Sequence, residues 1–406
     1  MEQWRQDRLI DILDTLIDYR GKTPNKVDCG IPLITAKIVK NGRIDTPTEF
    51  LPTEDYNGWM VRGFPQVGDV VLTTEAPLGE VAQLTDEKIA LAQRIVCLRG
   101  KEGVLDNTYL KYFFLSNIGQ NRLKARETGT TVTGIKQSEL KEILIDYPKI
   151  DTQKAIASVL SSLDSKIELN RRINDNLEQQ AQALFKAWFV DNPKPNWSET
   201  TFSEVANFIG GYSYKGEELT DSSNIAMVTI KNFGRNGGFK ADGFKGIAPF
   251  VKLKECHYAN LFDILVAHTD LTQNADVIGN AELLLTYGRY DSIIFSMDLV
   301  KVLPKNNFPY RFLLAAMLKN KIFKGHCLGY VNGTTVLHLS KKALPNFEVK
   351  IPPKAEAKTM NDALAPYYQR MAEVLQENDR LIHLRDTLLP KLMSGEFNIN
   401  AKSRLQ

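Results

Sequence analysis

The amino-acid sequence predicts an α+β protein with two pseudo-symmetric domains, joined by two long helices that form an antiparallel coiled coil. Three observations predict this architecture: a repeat that runs through the chain, short β-type runs followed by a helical stretch in each copy, and an apolar stripe of coiled-coil spacing at the end of each copy. The chain has 406 residues, enough for two to three domains at roughly 100–200 residues each.

The repeat joins segments of the two halves of the chain. Three pairs of segments match: GTTVTGIKQSELKEILIDYP (129–148) with GTTVLHLSKKALPNFEVKIP (333–352), IPLITAKIVKNG (31–42) with IAMVTIKNFGRNG (225–237), and GDVVLTT (68–74) with FDILVAH (262–268). Two copies of about 200 residues are too few for a solenoid, which needs at least three stacked repeats. The pattern therefore predicts a duplicated module and a pseudo-two-fold molecule.

The first part of each copy, 1–150 and 192–354, mixes short β-type runs with turn signals. Such runs include IPLITAKIV, DVVLTT and RIVCLR in copy one, and IAMVTI, DILVAH and DLVKVL in copy two. A helical stretch follows in each copy, at 107–126 and 310–325. We expect one α+β domain of about 150 residues in each copy.

The second part of each copy, 151–191 and 355–406, predicts a long helix. Its apolar positions step by four and three residues, as in a coiled coil, and about 36 helical residues make a rod of ~54 Å. Pro366 predicts that the second helix starts or kinks there, and Pro390 predicts a bend near its end. The seam residues are Leu160, Leu163, Ile167, Asn174, Leu177 and Leu184 in the first helix and Leu364, Met371, Asn378, Leu381 and Leu388 in the second.

Two asparagines occupy equivalent seam positions, Asn174 and Asn378. A polar residue in an apolar seam commonly sets the alignment of helices at a cost in stability. The pattern is also compatible with a solvated flank. If the helices pack antiparallel about the pseudo-two-fold axis, both asparagines should lie near the middle of the contact.

Composition narrows the class of protein. A net charge of +3 does not by itself indicate a nucleic-acid-binding protein. The four cysteines form no CxxC pair, which suits a reducing compartment and predicts no metal site. The sequence has no apolar run near the ~18 residues of a membrane span, and its N-terminal segment does not resemble a signal peptide. We expect a cytoplasmic protein that is not attached to a membrane.

The motifs of common enzymes are missing. GTTVTGIK lacks the Gly-Lys-Ser/Thr ending of a phosphate-binding loop, and the chain has no HExxH, GxSxG or GxGxxG after a strand. DNPKPNW (191–197) resembles the Asn-Pro-Pro-aromatic signature of amino-methyltransferases only superficially, because Lys194 replaces the second proline. We therefore expect a binding protein with no catalytic residue.

Basic residues just upstream of each Gly-Thr-Thr loop favour contact with DNA or RNA. Cationic side chains beside hydroxyl groups and free backbone N–H groups are typical of phosphate contacts, although the helix macrodipole also favours cations at a helix C-terminus. Their occurrence in both copies favours nucleic-acid binding. The residues are Arg122, Lys124, Arg126, Thr130 and Thr131 in copy one, and Lys319, Lys321, Lys324, Thr334 and Thr335 in copy two.

Polar residues that follow apolar strands are further candidates for DNA contact, although solvated loop residues would show the same pattern. They are Lys37, Lys40, Arg43, Thr73 and Thr74 in copy one, and Lys231, Arg235, His268 and Thr269 in copy two.

The central helix carries a resemblance to a known family. IASVLSSLDSKIELNRRINDNLEQQAQALFKAWFVD (156–191) resembles the conserved central region of type I restriction–modification specificity subunits, and LRDTLLPKLMSGEF (384–397) resembles their second conserved region. The order of variable domain, helix, variable domain and helix also matches. The resemblance covers essentially the whole chain and is weakest inside the two α+β domains.

The resemblance implies a non-catalytic subunit that gives a DNA methyltransferase and endonuclease complex its sequence specificity. Each α+β domain would be a target recognition domain for one half of an asymmetric bipartite site in double-stranded DNA. The helices would set the spacer and dock two methyltransferase subunits. S-adenosylmethionine and adenine N6 methylation would belong to those subunits, and ATP and Mg²⁺ to the partner subunits of the complex, including the restriction and translocase subunits.

Two other classes of function remain open from the residues alone. A coiled-coil scaffold that binds only proteins would show the same repeat and the same helices. A stand-alone modification enzyme would need cofactor motifs, and the sequence shows none.

Overall fold

The computed structural model describes residues 4–19, 21–86, 88–129 and 133–397. It divides into two compact units, each with one α+β domain and parts of both long helices. Unit 1 comprises Met1–Lys166 and Ile382–Gln406, and unit 2 comprises Ile167–Leu381. The predicted division into four segments stays a prediction, because the compact units cut both helices.

Unit 1 contains eleven strands among its described residues: β1 (Arg5–Arg8), β2 (Leu13–Asp18), β3 (Ile31–Ile34), β4 (Val39–Lys40), β5 (Arg43–Ile44), β6 (Phe50–Leu51), β7 (Val70–Thr74), β8 (Leu78–Gln83), β9 (Ala90–Leu91), β10 (Ile95–Gly100) and β11 (Leu144–Tyr147). Its short helices are α1 (Leu9–Ile12), α2 (Tyr56–Trp59), α3 (Asn107–Leu115), α4 (Asn117–Lys124) and α5 (Gln137–Lys141). The first long helix is α6 (Ile150–Lys186), and a π-helical turn, Ala187–Asp191, follows it.

Unit 2 contains thirteen strands among its described residues: β12 (Ser198–Thr201), β13 (Ala206–Gly210), β14 (Ile225–Val228), β15 (Lys245–Gly246), β16 (Tyr258–Ala259), β17 (Ile264–Ala267), β18 (Thr269–Asp270), β19 (Ala281–Leu283), β20 (Ser292–Phe295), β21 (Leu299–Pro304), β22 (Val331–Asn332), β23 (Leu337–Leu339) and β24 (Glu348–Ile351). Its short α-helices are α7 (Arg311–Leu318) and α8 (Lys321–Leu328), and the second long helix, α9 (Lys354–Met393), begins in unit 2 and ends in unit 1.

The two α+β domains share one strand arrangement. A four-stranded antiparallel sheet has the order β2-β10-β7-β8 in unit 1 and β13-β21-β17-β19 in unit 2. Each domain also has a parallel pair, β3 with β9 and β14 with β20. The strand that leads into each long helix, β11 or β24, pairs with the first strand of its domain. The duplication predicted from sequence is therefore a duplication of fold.

The long helices pack antiparallel within unit 2. Asn170 Nδ2 donates a hydrogen bond to Asn378 Oδ1 at 2.9 Å, and Asn174 Nδ2 donates to the Met371 carbonyl oxygen at 3.4 Å. Farther along α6, Phe185 shares a core with Met360, near the start of α9. Contacts that advance along α6 thus move backward along α9. The predicted antiparallel orientation is confirmed, but the partner of Asn378 is Asn170 rather than Asn174.

The same orientation holds within unit 1. Arg385 Nη1 lies 3.0 Å from Asp164 Oδ1, and Leu160 shares a core with Leu389 and Leu392. Since Asp164 follows Leu160 on α6 while Arg385 precedes Leu389 on α9, the two helices also run in opposite directions here.

The predicted seam is a mixture of buried and half-buried residues. Leu160, Ile167, Leu364, Met371 and Asn378 are buried, and Leu163, Asn174, Leu177, Leu184, Leu381 and Leu388 are half-buried. Phe185 and Tyr368 are buried on the same faces and were not among the predicted residues. Phe185 lies one residue beyond the predicted Leu184, as expected when a helix has 3.6 residues per turn rather than 3.5.

The prolines and the short helices correct two sequence predictions. Helix α9 is continuous from Lys354 to Met393, so it does not start at Pro366, while a kink there and a bend near Pro390 stay predictions. Each helical stretch predicted after the sheet is in fact two helices. Ser116 caps α4 by accepting from the Gly119 N–H at 3.2 Å, and Asn320 caps α8 by accepting from the Ile322 N–H at 2.8 Å. Such caps start a new helix at a polar residue.

None of the helices in the described part of the chain is long and apolar enough to cross a membrane.

Candidate nucleic-acid interface

Three polar segments meet on one surface of unit 1. The Asn41 N–H, at the tip of the β4–β5 hairpin, donates to Glu80 Oε2 at 2.7 Å. The Ile135 N–H donates to the Thr74 carbonyl oxygen at 2.9 Å, and Glu75 forms a β-bridge with Gly134. We call the segments 39–44, 75–80 and the described residues of 128–134, which are 128–129 and 133–134, surface 1. Thr130 and Thr131, two predicted contacts, lie outside the described residues.

Unit 2 brings the equivalent segments together. The side chain of Asn280 donates to the Gly234 carbonyl oxygen at 2.7 Å, and Gln273 Nε2 donates to the Thr334 carbonyl oxygen at 2.8 Å. Thr269 pairs with His338 between β18 and β23. We call the segments 234–238, 269–276 and 333–338 surface 2. In both units, the residues after a central strand of the four-stranded sheet therefore meet the Gly-Thr-Thr segment or its flank.

Exposed cations and hydroxyl groups lie on these surfaces or in the segments next to them. Lys37, Lys40, Lys124, Lys231, Arg235, Lys321, Thr334 and Thr335 are all exposed. Arg235 lies 3.7 Å from Asp276, with most of its side chain in solvent, and Lys37 lies 3.6 Å from Glu49. Weak surface pairs of this kind cost little to exchange for a phosphate.

Beside surface 1 lies an open cleft of about 410 Å³, lined in part by Pro77, Gln120, Lys124 and Thr133. Gln120 Nε2 donates to the Gly79 carbonyl oxygen at 2.8 Å, which ties α4 to the start of β8. Lys124 thus borders both the cleft and the segment that follows β7. This placement favours its predicted role in phosphate contact.

Lys319 requires a correction. It was expected to contact DNA, but it is buried between two carboxylates, 2.9 Å from Glu178 Oε2 and 2.6 Å from Glu282 Oε2. Burial by itself lowers the pKa of Lys319, but the two carboxylates raise it above its ordinary value, so the ammonium stays charged. A lysine held this way cannot reach a phosphate unless the pairs open.

Lys324 is also turned inward. Its ammonium donates to the Asp276 carbonyl oxygen at 2.5 Å and to Asn280 Oδ1 at 2.6 Å. Burial lowers the pKa of Lys324. The two basic clusters are not in equivalent places either. Arg122 and Lys124 lie in the last turn of α4, whereas Lys321 is the first residue of the equivalent helix α8.

Three arginines of unit 1 are held by carboxylates of the same unit. Arg122 lies 2.5 Å from Asp146, Arg126 lies 2.8 Å from Glu139, and Arg43 lies 2.9 Å from Asp45. Arg122 also donates to the Leu144 carbonyl oxygen, so it ties α4 to β11. The bonds of Arg122 support the fold, while Arg43 and Arg126 remain partly exposed.

The predicted threonines at the strand ends are buried. Thr73 Oγ1 accepts a hydrogen bond from the Glu80 N–H at 2.9 Å, and Thr269 Oγ1 donates to Asp298 at 3.0 Å. Thr74 is buried as well. The hydroxyl groups of Thr73 and Thr269 bind groups of the protein itself, and none of the three threonines faces solvent, which corrects the expectation that they touch DNA. His268 is half-buried, and burial together with the nearby His338 lowers its pKa, which favours the neutral imidazole.

Polar residues that the sequence interpretation missed hold the loops of surface 2. Asn280, Glu282 and Gln273 each bind a backbone group of another segment. The only sequence signal for them was the glycine-rich run GRNGG at 234–238, because a loop with several glycines needs side chains from elsewhere to hold it in one conformation.

Comparison with known proteins decides the family. The family described as "Type I restriction modification DNA specificity domain" matches residues 1–179 and 194–383. The chain belongs to this family. It carries two copies of the specificity domain, and the comparisons give no support to a scaffold that binds only proteins.

Curated specificity subunits are similar over much of their length. The MjaIX specificity subunit of Methanocaldococcus jannaschii is 28% identical over 360 residues, which cover 84% of this chain and 79% of the relative. The HindI specificity subunit of Haemophilus influenzae is 24% identical and covers 68% of this chain and 74% of the relative. The crystal structure of the type I S subunit from M. genitalium has a TM-score of 0.57 at 19% identity and covers 96% of both chains. This last similarity shows that the specificity subunit and its relative share a fold.

Proposed function

We propose that this specificity subunit reads an asymmetric bipartite DNA site, with each α+β domain reading one half. The duplication of surface 1 in surface 2 carries the proposal: equivalent strand ends meet the Gly-Thr-Thr segment in unit 2 and the described residues that flank it in unit 1, but the exposed side chains differ. Domains of one fold with different exposed residues would contact DNA in the same way and select different sequences.

The chemistry would belong to partner subunits. We propose that two methyltransferase subunits bind the specificity subunit, use S-adenosylmethionine and methylate adenine N6. A restriction and translocase subunit would supply the ATP- and Mg²⁺-dependent cleavage. The specificity subunit itself would act without catalysis, by deciding which DNA the complex engages.

The long helices would set the distance between the half-sites. Helix α6 has 37 residues and α9 has 40, which corresponds to about 55–60 Å each at ~1.5 Å per residue. One turn of B-DNA is ~34–36 Å, so a rod of this length could hold two domains on successive major-groove faces. The exposed sides of the helices would also be available to dock the methyltransferase subunits.

The direct test is a gel shift and a methylation map. The chain is combined with methyltransferase subunits encoded with it, and binding is measured on random DNA fragments. We expect selection of fragments that share two short sequences at a fixed distance. Sequencing of modified adenines in cells that express the complex should return the same bipartite site.

Two outcomes would contradict the proposal. Binding of the complex to all fragments alike would indicate a scaffold without specificity. Methylation at a single continuous site would mean that the domains do not each read a separate half-site.

A further inference from the structure

The β4–β5 hairpin of unit 1 presents a rigid polar tip. Lys40 pairs with Arg43 across the hairpin, and the two residues between them, Asn41 and Gly42, have φ values of 50° and 84°. Two successive positive φ angles are those of a type I′ turn, which Asn-Gly strongly favours. Lys40 and Asn41 are exposed. The turn holds their backbone in one conformation, so little entropy is lost when they bind.

Unit 2 has a corresponding tip. A bridge between Phe233 and Phe239 closes the loop 234–238, and the Gly234 N–H donates to the Gly238 carbonyl oxygen at 2.9 Å. Arg235 and Asn236 are exposed at its end. In sequence the tips read Lys-Asn-Gly at 40–42 and Arg-Asn-Gly at 235–237. Each copy therefore presents a cation followed by an asparagine.

Both tips are held from the same strand of the repeat. Val81 on β8 pairs with Leu72, and Ala281 on β19 pairs with Val266, and Leu72 and Val266 match in the repeat. The residues just before them, Glu80 and Asn280, are thus equivalent positions.

Glu80 and Asn280 bind the tips through different atoms. Glu80 Oε2 accepts from the Asn41 N–H at 2.7 Å, whereas Asn280 Nδ2 donates to the Gly234 carbonyl oxygen at 2.7 Å. Equivalent positions therefore hold the two tips at different backbone groups and with different chemistry.

Buried charges support the second tip. Glu282 Oε1 accepts from the Gly238 N–H at 2.6 Å, and its other oxygen lies 2.6 Å from Lys319. Lys324 in turn donates to Asn280 Oδ1 at 2.6 Å. Lys319 also pairs with Glu178. Burying an ammonium with carboxylates costs several kcal/mol unless the charges are well paired, and an apolar cluster would commonly be at least as stable. The arrangement fixes the position of a loop that three glycines would otherwise leave free.

We propose that Lys40 and Asn41 read bases of one half-site, that Arg235 and Asn236 read bases of the other, and that Glu80 and Asn280 are positioning residues for these tips. The inference rests on the proposed function and names the residues that carry it out. Arg and Lys recognise the O6 and N7 atoms of guanine, and Asn recognises the N6 and N7 atoms of adenine in the major groove. A two-residue tip with both side chains is narrow enough to enter that groove.

The role of the two tips in base reading is tested by removing the side-chain N–H donor of Asn41 or Asn236. Asn41→Asp and Asn236→Asp keep the side-chain size, and Asp tolerates a positive φ. In complex with the methyltransferase subunits, the methylation rate is measured on a library of single-base variants of the site. We expect Asn41→Asp to reduce discrimination about 10- to 100-fold at one or two positions of a single half-site. Asn236→Asp should do the same in the other half-site only, and Arg235→Ala should affect a base next to the one affected by Asn236→Asp.

The positioning role of Glu80 and Asn280 is tested by variants that either keep or remove the hydrogen bond to the tip. Glu80→Gln keeps an acceptor for the Asn41 N–H and should preserve selectivity, whereas Glu80→Ala should reduce it in the half-site that Asn41 reads. Asn280→Asp keeps an acceptor for Lys324 but cannot donate to Gly234, so selectivity should fall in the other half-site.

Further controls distinguish positioning from a general structural role. Asn280→Asp added to Asn236→Asp should cause little further loss, because both act on one tip. Asn207→Asp is the matched control, since Asn207 is exposed on β13, at the opposite edge of the sheet from β19. It should leave both half-sites unchanged.

The outcomes separate the inference from the proposed function. A wild-type complex that methylates no bipartite site would contradict the proposed function. If the wild-type complex methylates a bipartite site, and Asn41→Asp and Asn236→Asp leave both half-sites unchanged, the inference alone is overturned. Because these asparagines are exposed, the variants should fold, and equal melting temperatures would confirm it. Loss of selectivity in Glu80→Gln equal to that in Glu80→Ala would exclude the positioning role of Glu80.

Discussion

Lys319 and Lys321 are two residues apart, yet only one of them is free to meet a phosphate. Lys321 is exposed at the start of α8, whereas Lys319 is enclosed with Glu178 and Glu282. Sequence alone shows that both are cations near a Gly-Thr-Thr segment. It does not show that two carboxylates fold onto Lys319. One of them lies more than a hundred residues earlier in the chain and the other some forty residues earlier, and such pairings are set by tertiary structure.

Lys321 and Lys124 are expected to contribute to DNA affinity without contributing to specificity. Changing either to alanine in the methyltransferase complex should weaken binding to specific and random DNA by the same factor, because a phosphate contact is independent of sequence. The slope of log K against log salt should fall by about one unit. Lys252→Ala, an exposed lysine of unit 2, serves as the control. A loss confined to one DNA sequence would show that the lysine contacts a base.

Asp270 anchors the segment 269–276 of surface 2 and makes the stability of this segment depend on pH. Burial alone raises the pKa of Asp270, but hydrogen bonds from the N–H groups of Val277 and Thr272 and from the Thr272 hydroxyl bring its net pKa below the ordinary value. Its stabilising effect is therefore complete above the pKa of an unfolded aspartate and is lost as the pH falls through the lower folded pKa.

Asp270→Asn should reduce the free energy of unfolding at pH 7 by about 1–3 kcal/mol, since hydrogen bonds to a charged acceptor are stronger than those to an amide. The difference between variant and wild type in urea unfolding should shrink progressively below pH 4. A difference that stays constant from pH 7 to pH 3 would show that the charge of Asp270 is not the stabilising feature.

At the scale of elements, the sequence was most informative about the long helices and the short β-type runs of each domain. The four-three spacing predicted α6 and α9, and the runs DVVLTT and DILVAH predicted β7 and β17. It was least informative about where helices break. Ser116 and Asn320 lie inside apolar stretches, and only the folded structure shows that they cap new helices. A cap residue has a non-helical backbone conformation, and the spacing of apolar residues does not show where the backbone adopts it.

The asparagine contact between the long helices is expected to set their alignment more than their stability. Asn170→Leu leaves the buried Asn378 without its donor and should cost about 1–3 kcal/mol. Asn170→Leu with Asn378→Leu removes both polar groups from the seam and should recover most of that loss. Urea unfolding of the full chain measures both.

Asn174→Leu provides a comparison, because Asn174 is only half-buried and makes one long hydrogen bond. Its cost should be smaller than that of Asn170→Leu. A double variant less stable than either single variant would mean that the amides stabilise the helix pair instead of aligning it.

At the scale of the whole molecule, the duplication could be predicted from the sequence, but its asymmetry could not. The strand order repeats, and so does the antiparallel packing of the helices in each unit. The polar contacts between each α+β domain and the long helix α6 differ. Tyr112 and Lys111 bind Asp164 in unit 1, while Lys319 binds Glu178 in unit 2. Each copy has therefore fixed its domain to the helices with its own residues.

The last prediction concerns the distance between the half-sites. The chain passes from one unit to the other at two points, Lys166–Ile167 and Leu381–Ile382, and both points lie within a helix, α6 or α9. Inserting one heptad at both points lengthens each helix by ~10.5 Å, and keeps the apolar stripe nearly in phase. Contacts within each unit are untouched. At ~3.4 Å per base pair, methylation mapping should return the same two half-sites with a spacer about three base pairs longer. Insertion in α6 alone should instead lower stability, because the seams no longer match. An active double-insertion variant with an unchanged spacer would rule out the helices as the ruler.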